Sequence, residues 1–306
     1  MARLLVTGAA GLIGQTVRRR LMATGHEVLG LDLAAPSGHP DHGDILDSTI
    51  LQQRAVGCVG ILHFAAIARV GESEADPQRC AAVNVDAVRK VLDIAAASAE
   101  RPWVLLASSR EVYGEPVRLP VVEADPIAPI NVYGRSKAAA EALVIAARAC
   151  GLRTQIARFA NVYGRIDDHP DRVVPAFARA AAEGATMHLR GSNNAFDFTH
   201  VDDVAAGTRS LVDALLDGAR DLPPIHFTTG QPTRLRALAE LAQKLAGGRS
   251  LLVEEPSVDG TVARFWGDPA RARQLLGWEP RIDLPFGLAR MIEAFGALAT
   301  ERALVA

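Results

Sequence analysis

The stretch Tyr133-Gly-Arg-Ser-Lys137 places a phenol and an ammonium four residues apart, and the alanine-rich run from Ser136 to Ala149 predicts a helix through it. Four residues make about one helical turn, so the two side chains share a face. An ammonium beside a phenol favours the phenolate, and the spacing therefore predicts a Tyr133 pKa below its usual value of about 10. Tyr133 would then exchange a proton with a sugar or alcohol hydroxyl near neutral pH, as an acid and base for hydride chemistry. A Tyr and a Lys at this spacing also occur on ordinary solvated helices, so the pair gains meaning only from its company.

That company is Thr7-Gly8-Ala9-Ala10-Gly11-Leu12-Ile13-Gly14. Arg3 to Val6 reads as a buried strand and Leu12 to Thr24 as a helix stopped by Gly25. Gly8, Gly11 and Gly14 permit a tight turn, close approach of backbone to a pyrophosphate and close helix packing, with phosphates held at the helix N-terminus. The spacing is GxxGxxG rather than GxGxxG. A second strand, Val28 to Leu31, ends at Asp32, which lies 18 residues after Gly14. An acid near this offset binds the adenosine ribose hydroxyls and repels a 2'-phosphate. No Arg or Lys follows Asp32 in the next several residues, so NAD is expected rather than NADP.

Further strands are expected near Gly60 to Phe64, Trp103 to Ala107 and Thr154 to Arg158, with helices near Pro77 to Ala97 and Val132 to Ala149. Such alternation implies an α/β fold with a doubly wound parallel sheet and crossover helices. Past Tyr163 the texture changes. Gly164 to Thr199 is rich in charged and Gly/Asn residues around one helical stretch, Val174 to Glu183, and reads as a substrate-facing excursion rather than sheet. Val201 to Leu216 reads as a helix, Ile225 to Thr228 as a strand, and Thr233 as the cap of a helix running to Ala246.

The chain has 306 residues, 49% of them hydrophobic, ample for one large or two small packed units. A formal net charge of -2 and the lack of a long basic run argue against nucleic acid or an anionic membrane as partner. Cys58, Cys80 and Cys150 are scattered, without metal-ligand spacing, and suit core packing in a reducing compartment. No metal site is expected. Met1 leads straight into the first strand and no apolar run reaches membrane-spanning length, so a cytoplasmic protein is expected.

Together these residues resemble the extended short-chain dehydrogenase/reductase family of NAD-dependent epimerases and dehydratases, over nearly the whole chain. Gly43-Asp44-Ile45-Leu46-Asp47 is similar to the family's adenine-contacting segment, and His63-Phe64-Ala65-Ala66 to the end of its third strand, beside the cofactor. Ser108-Ser109-Arg110-Glu111-Val112-Tyr113-Gly114 resembles the strand and loop carrying the catalytic Ser or Thr, with Ser109 in that place. Asn84, Arg158, Asn161 and Phe198 to Val204 also fall at matching positions. The run from His63 to Ser73 is especially similar to UDP-glucose 4-epimerases, although the Lys of that branch is Ala68 here, with Arg69 one residue on.

The resemblance implies a Rossmann domain formed by residues 1–163 plus 201–228 and a smaller, mostly C-terminal substrate lobe formed by 164–200 plus 229–306. It implies that NAD is held by Gly8, Gly11, Leu12, Ile13, Gly14, Asp32, Asp44, Ile45, Phe64, Ala65, Ala66, Asn84, Tyr133 and Lys137. Ser109, Tyr133 and Lys137 would be catalytic. Tyr133 would take the proton from a substrate hydroxyl as NAD accepts the hydride, Ser109 would bond the reacting oxygen, and Lys137 would hold the ribose. Tyr113 would be structural. An epimerase of a nucleotide sugar is the first reading, with a homodimer formed through the Tyr133 helix and the preceding crossover helix.

Two other activities stay open. Glu111 fits the place of the base in 4,6-dehydratases, yet Arg110 stands where many of these have an acid, and a salt bridge between the two would equally account for Glu111. A dehydrogenase of a free sugar, sugar acid or small hydroxy compound is the other. Enzymes acting on nucleotide sugars usually place an Arg in Arg-Asp-Phe or Arg-Asp-Tyr against the diphosphate, where this chain has Phe196-Asp197-Phe198, and a second expected Arg falls on Val258. Arg172, Arg190 or Arg264 would substitute, or the substrate lacks a diphosphate. Asn161 matches a family residue that contacts the substrate.

Overall fold

A computed structural model describes residues 1–256 and 262–305 of the chain; Val258 lies outside the described residues. The first half runs β1 (Arg3–Thr7), α1 (Leu12–Ala23), β2 (Glu27–Leu31), α2 (Ser48–Ala55), β3 (Gly60–His63), α3 (Val70–Ala75), α4 (Pro77–Ala81), a π-helical turn (Ala82–Asp86), α5 (Ala87–Ala97), β4 (Trp103–Ser109), a 3-10 turn (Arg110–Tyr113) and α6 (Val132–Ala149). It continues with β5 (Thr154–Phe159), β6 (Asn161–Tyr163), α7 (Val173–Glu183), β7 (Met187–Arg190), β8 (Ala195–His200), α8 (Val201–Leu216) and β9 (Ile225–Phe227). The chain ends with β10 (Pro232–Arg234), α9 (Leu235–Leu245), β11 (Leu252–Glu255), β12 (Arg264–Phe265), α10 (Ala270–Leu276) and α11 (Leu284–Val305).

Six strands form one parallel sheet in the order β2-β1-β3-β4-β5-β9. Both faces are covered, because alternate residues of these apolar strands point to opposite sides. Leu4 and Val6 of β1 and Leu105 of β4 pack with α1 and α8 through Val17, Leu21, Val204 and Leu211. Leu5, Val104 and Leu106 face the other way, onto Leu51 of α2, Val88 and Val91 of α5 and Val144 of α6. The chain winds outward from β1 in both directions, so a crevice opens at the carboxyl ends of β1 and β3.

A second core gathers Phe177 of α7, Phe198 of β8, Leu238 of α9, Phe265 of β12 and Leu288 and Met291 of α11. Its sheet pairs β8 with β10, β12 and β6, while β7 pairs β11. This corrects the reading of Gly164 to Thr199 as free of sheet: Met187–Arg190 and Ala195–His200 are strands. They are short, and β7 alternates buried and exposed residues, so its apolar content is too low to stand out locally. Thr233 likewise belongs to β10, and the helix after it starts at Leu235 with Arg234 as its N-cap and no side-chain capping bond. Cys58 and Cys80 are buried, but Cys150, placed by its sequence in the core, is exposed just past the end of α6. Among the described residues no helix is long and apolar enough to cross a membrane, and no cluster of His, Cys, Asp and Glu could hold a metal ion.

Candidate active site

The crevice is a cavity of about 760 Å³. Its dinucleotide end is lined by Gly8, Gly11, Leu12, Ile13, Gly14 and Asp32, and by Asp44, Ile45, Phe64, Ala65 and Ala66. Ser109, Arg110, Glu111, Tyr133 and Lys137 line its other end, with Asn161 and Arg172. The glycines are required by space. A Cβ on Gly14 would sit 2.0 Å from the Gly8 carbonyl oxygen, and one on Gly8, whose φ is +69°, would sit 2.6 Å from the Ala65 nitrogen. Gly11 caps α1 with no side-chain hydrogen bond, so the first-turn amides of this helix stay free for an anion.

Asp32 extends the same backbone frame. Its Oδ2 accepts from Ala10 N at 2.9 Å and its Oδ1 from Ala34 N at 2.8 Å, which fixes the carboxylate at the end of β2 on the cavity wall. Asp44 Oδ1 accepts from Leu46 N at 2.8 Å, holding the adjoining loop. Open helix amides, a turn that tolerates no Cβ and a carboxylate at a second strand end are the donor and acceptor set that a dinucleotide with two ribose hydroxyls requires. The residues present therefore fit NAD.

Asn84 does not reach the cavity, correcting its expected place at the cofactor. In the π-helical turn it accepts from Ile67 N at 2.8 Å and donates to Ile67 O at 3.0 Å and Ser136 Oγ at 2.9 Å. It ties the loop after β3 to the first turns of α6, which is a positioning duty.

The catalytic candidates come from two elements pressed together. Ser109 ends β4 and its Oγ accepts from Glu111 N at 3.2 Å, starting the 3-10 turn. Tyr133 and Lys137 lie on α6, whose N-terminus is capped by Asn131 through Gly134 N at 2.7 Å. A Cβ on Gly134 would lie 2.4 Å from the Glu111 carbonyl oxygen, so only glycine lets α6 dock on the turn after Ser109. Asn131 and Gly134 were not singled out in the sequence. An Asn three residues before Gly134, opening an alanine-rich helix, is the capping signal that would have found them.

The phenol pKa runs against expectation. Burial pushes Tyr133 up to about 12, opposed by a hydrogen bond from Ser109 and by the Arg172 cation, while Glu111 reinforces the rise. Burial also pushes Lys137 down to about 8. The Lys137 ammonium donates to the Ala107 carbonyl at 2.9 Å and stands 5.9 Å from the Tyr133 ring centroid. Helical spacing specifies proximity, but desolvation of a neutral phenol depends on the whole pocket and outweighs the neighbouring charge. His63, which hydrogen-bonds Thr7 at 2.9 Å, is pushed down to about 3 by burial and by Lys137, so it is neutral.

Behind this end lies a buried polar pillar. Arg158 pairs with Glu141 at 2.6 Å and donates to the Tyr113 hydroxyl, which also bonds His226. Tyr113 and Arg158 are thus structural supports under β4 and β5. Glu111 is held at both oxygens, by Arg110 Nη2 at 2.8 Å and by Asn131 Nδ2 at 2.8 Å. Asn161 donates to the Asp197 carbonyl at 3.3 Å, and Arg172 lies 3.5 Å from Asp168. Asp168 was not singled out either. It lines the cavity, burial raises its pKa, and its Oδ2 is buried without a hydrogen-bond partner among the described residues.

Two of the expected anion ligands lie elsewhere. Arg190 is on β7, exposed and paired with Glu255, and Arg264 is exposed and paired with Glu115 at 3.3 Å; neither lines the cavity. Phe196 stands behind the wall, with the Arg110 guanidinium 4.7 Å from its ring centroid. Arg69 turns away from the dinucleotide end to bond Asp171 and, at 2.8 Å, His169.

Known proteins match this arrangement. Residues 4–220 fit the model of the NAD dependent epimerase/dehydratase family. A UDP-glucose 4-epimerase of Mycolicibacterium smegmatis is 31% identical, with 96% of this chain and 98% of that protein covered. A dTDP-glucose 4,6-dehydratase of Streptomyces antibioticus is 32% identical, covering 95% of this chain and 91% of that one. The structure of MoeE5 in complex with UDP-glucose and NAD superposes with a TM-score of 0.85 at 29% identity, covering 99% of both chains. With its Rossmann-type sheet, glycine turn and Ser109, Tyr133 and Lys137 in one cavity, the chain belongs to the NAD-dependent epimerase/dehydratase family.

Proposed function

We propose that this protein is an epimerase of a nucleotide sugar that oxidises and re-reduces one sugar hydroxyl. The observation that carries the reading is the meeting of Ser109, Tyr133 and Lys137 in the cavity whose other end fits NAD. Bound NAD supplies a reversible hydride acceptor at that cavity. Tyr133 takes the proton of the reacting hydroxyl and returns it to the carbonyl oxygen on the way back. Ser109 bonds the same oxygen, and the Ser109 hydroxyl and Arg172 cation stabilise the phenolate that takes the proton in the first step and is restored by the second. Lys137, held against β4, keeps an ammonium under the phenol and a donor toward a ribose.

A second reading, a nucleotide-sugar 4,6-dehydratase, is favoured by Glu111, a carboxylate on the cavity wall with both oxygens already aligned by Arg110 and Asn131. Incubation in the presence of NAD with UDP-glucose, dTDP-glucose, a free sugar and a sugar acid, with products resolved by chromatography and absorbance followed for NADH, separates the readings. Epimerisation gives a 4-epimer of unchanged mass and no net NADH. Loss of one water supports the dehydratase, and NADH that accumulates with a free sugar or sugar acid supports a net dehydrogenase and overturns both.

A further inference from the structure

We propose that Arg110 is the specificity-determining anchor for an oxyanion on the substrate, with Phe196 and Phe265 as the platform that holds its guanidinium in place. Arg110 lines the cavity next to Ser109, and its side chain is only 11% exposed. The guanidinium carbon lies 4.7 Å from the Phe196 centroid and 5.8 Å from that of Phe265. Stacking on aromatic faces fixes the plane of the fork before a ligand arrives and leaves the in-plane N–H groups unspent. One terminal nitrogen, Nη2, forms an ion pair with the Glu111 carboxylate at 2.8 Å. The other terminal nitrogen, Nη1, is buried and has no hydrogen-bond partner among the described residues.

A buried charged donor without an acceptor forfeits its hydration with nothing in return, and such groups persist where a ligand completes them. The other guanidiniums considered for this duty are placed less well. Arg190 and Arg264 lie outside the cavity on Glu255 and Glu115. Arg172, which also lines the cavity, has a buried Nε without a hydrogen-bond partner among the described residues, but its side chain is 35% exposed and that nitrogen already faces the Asp168 carboxylate at 3.5 Å. The acceptor that fits a planar fork is an oxyanion, and two substrate groups offer it: the phosphate of a nucleoside diphosphate sugar and the carboxylate of a sugar acid. The inference rests on reading this cavity as the substrate site and narrows the substrate to a sugar bearing such a group.

The test is calorimetric titration of the NAD-loaded protein with UDP, with glucuronate and with neutral glucose, in wild type, Arg110→Lys and Phe196→Leu. NAD per chain and melting temperature are measured alongside. Arg110→Lys keeps the charge and removes the fork, so oxyanion binding is expected to weaken about tenfold or more while NAD per chain stays unchanged. Phe196 does not line the cavity and meets it through Arg110 and through Phe198, so Phe196→Leu should weaken the same oxyanion several-fold by way of Arg110, while unchanged glucose binding shows that the Phe198 wall has not moved.

Whichever of UDP and glucuronate depends on Arg110 identifies the source of the oxyanion. UDP bound equally by wild type and Arg110→Lys, with no Arg110-dependent binding of glucuronate, overturns the anchor and leaves the nucleotide-sugar reading standing. Glucuronate held through Arg110 with no UDP binding keeps the anchor and overturns the nucleotide. Binding of neither by wild type overturns the anchor. If Arg110→Lys fails to fold, Phe196→Leu decides: oxyanion affinity equal to wild type overturns the proposal.

Discussion

The two ends of the cavity are built from different materials. At the dinucleotide end the wall is largely main chain: Gly8, Gly11 and Gly14 admit no Cβ or barely admit one, and the Asp32 carboxylate is bound to the amides of Ala10 and Ala34. At the other end, which we read as the substrate end, the wall is side chains on side chains, with Glu111 held by Arg110 and Asn131, and buried polar atoms of Arg110, Asp168 and Arg172 left without partners among the described residues. A backbone wall has nearly one conformation and suits a cofactor used unchanged in every turnover. A side-chain wall can be re-specified by single substitutions, and unpaired donors and acceptors there are where substrate selection is exerted.

If the ends are separable, chemistry can be removed without the cofactor. Tyr133→Phe is expected to lower turnover by about 10²–10⁴-fold while NAD per chain and melting temperature remain those of wild type. Loss of NAD with the hydroxyl would show the two ends to be one unit.

Lys137 is the residue shared by both, and its burial has a thermodynamic signature. Its pKa falls from an ordinary 10.5 to about 8, so between these values the unfolded chain binds more protons than the folded one and stability rises with pH. Lys137→Met should therefore relieve a burial cost of about 3 kcal/mol near pH 7, and its advantage should shrink as pH climbs from 8 toward 10.5. Urea denaturation of both proteins across that range checks it, and a pH-independent difference would mean that the ammonium is solvated.

Gly14→Ala strikes the other end. Its Cβ would lie 2.0 Å from the Gly8 oxygen, so α1 must move away from β1. Overpacking of this kind costs about 1–3 kcal/mol, and NAD retention should fall about tenfold or more while the Ser109 and Tyr133 end keeps its geometry. The smallest effect is expected at the exposed strap that joins the two ends from outside. Arg69→Ala removes the bonds to Asp171 and His169, and exposed ion pairs contribute about 0–1 kcal/mol, so the NAD release rate should rise no more than about fivefold in a stopped-flow trap experiment.

The same contrast separates what could be read from the chain from what could not. Gly8, Gly11, Gly14 and Asp32 announced themselves because local geometry alone demands glycine in a turn and an acid at a strand end. Helix Val201–Leu216 and the Tyr133 helix were legible from periodicity and composition. Strands β7 and β8 were not, because their partners β11, β12, β10 and β6 are distant in sequence and pairing, rather than propensity, makes them strands. Arg172, Arg190 and Arg264 were equivalent candidates on paper, and only the fold put Arg172 on the cavity wall and gave the other two to surface carboxylates.

By itself the sequence determined the glycine turn and the one-turn spacing of Tyr133 and Lys137, since each depends on residues within a few positions of one another, and its alternation of strands and helices implied the doubly wound sheet. Only the tertiary structure decided the electrostatics of that pair and the surroundings of Arg110. Burial raises Tyr133 to about 12 although an ammonium lies near it, because desolvation sums over every group enclosing the phenol. Phe196 and Phe265 reach Arg110 from strands far along the chain, and their faces leave its Nη1 a donor awaiting an acceptor. Local rules set where the chain turns; long-range packing sets the charge state and the selectivity of what the turns bring together.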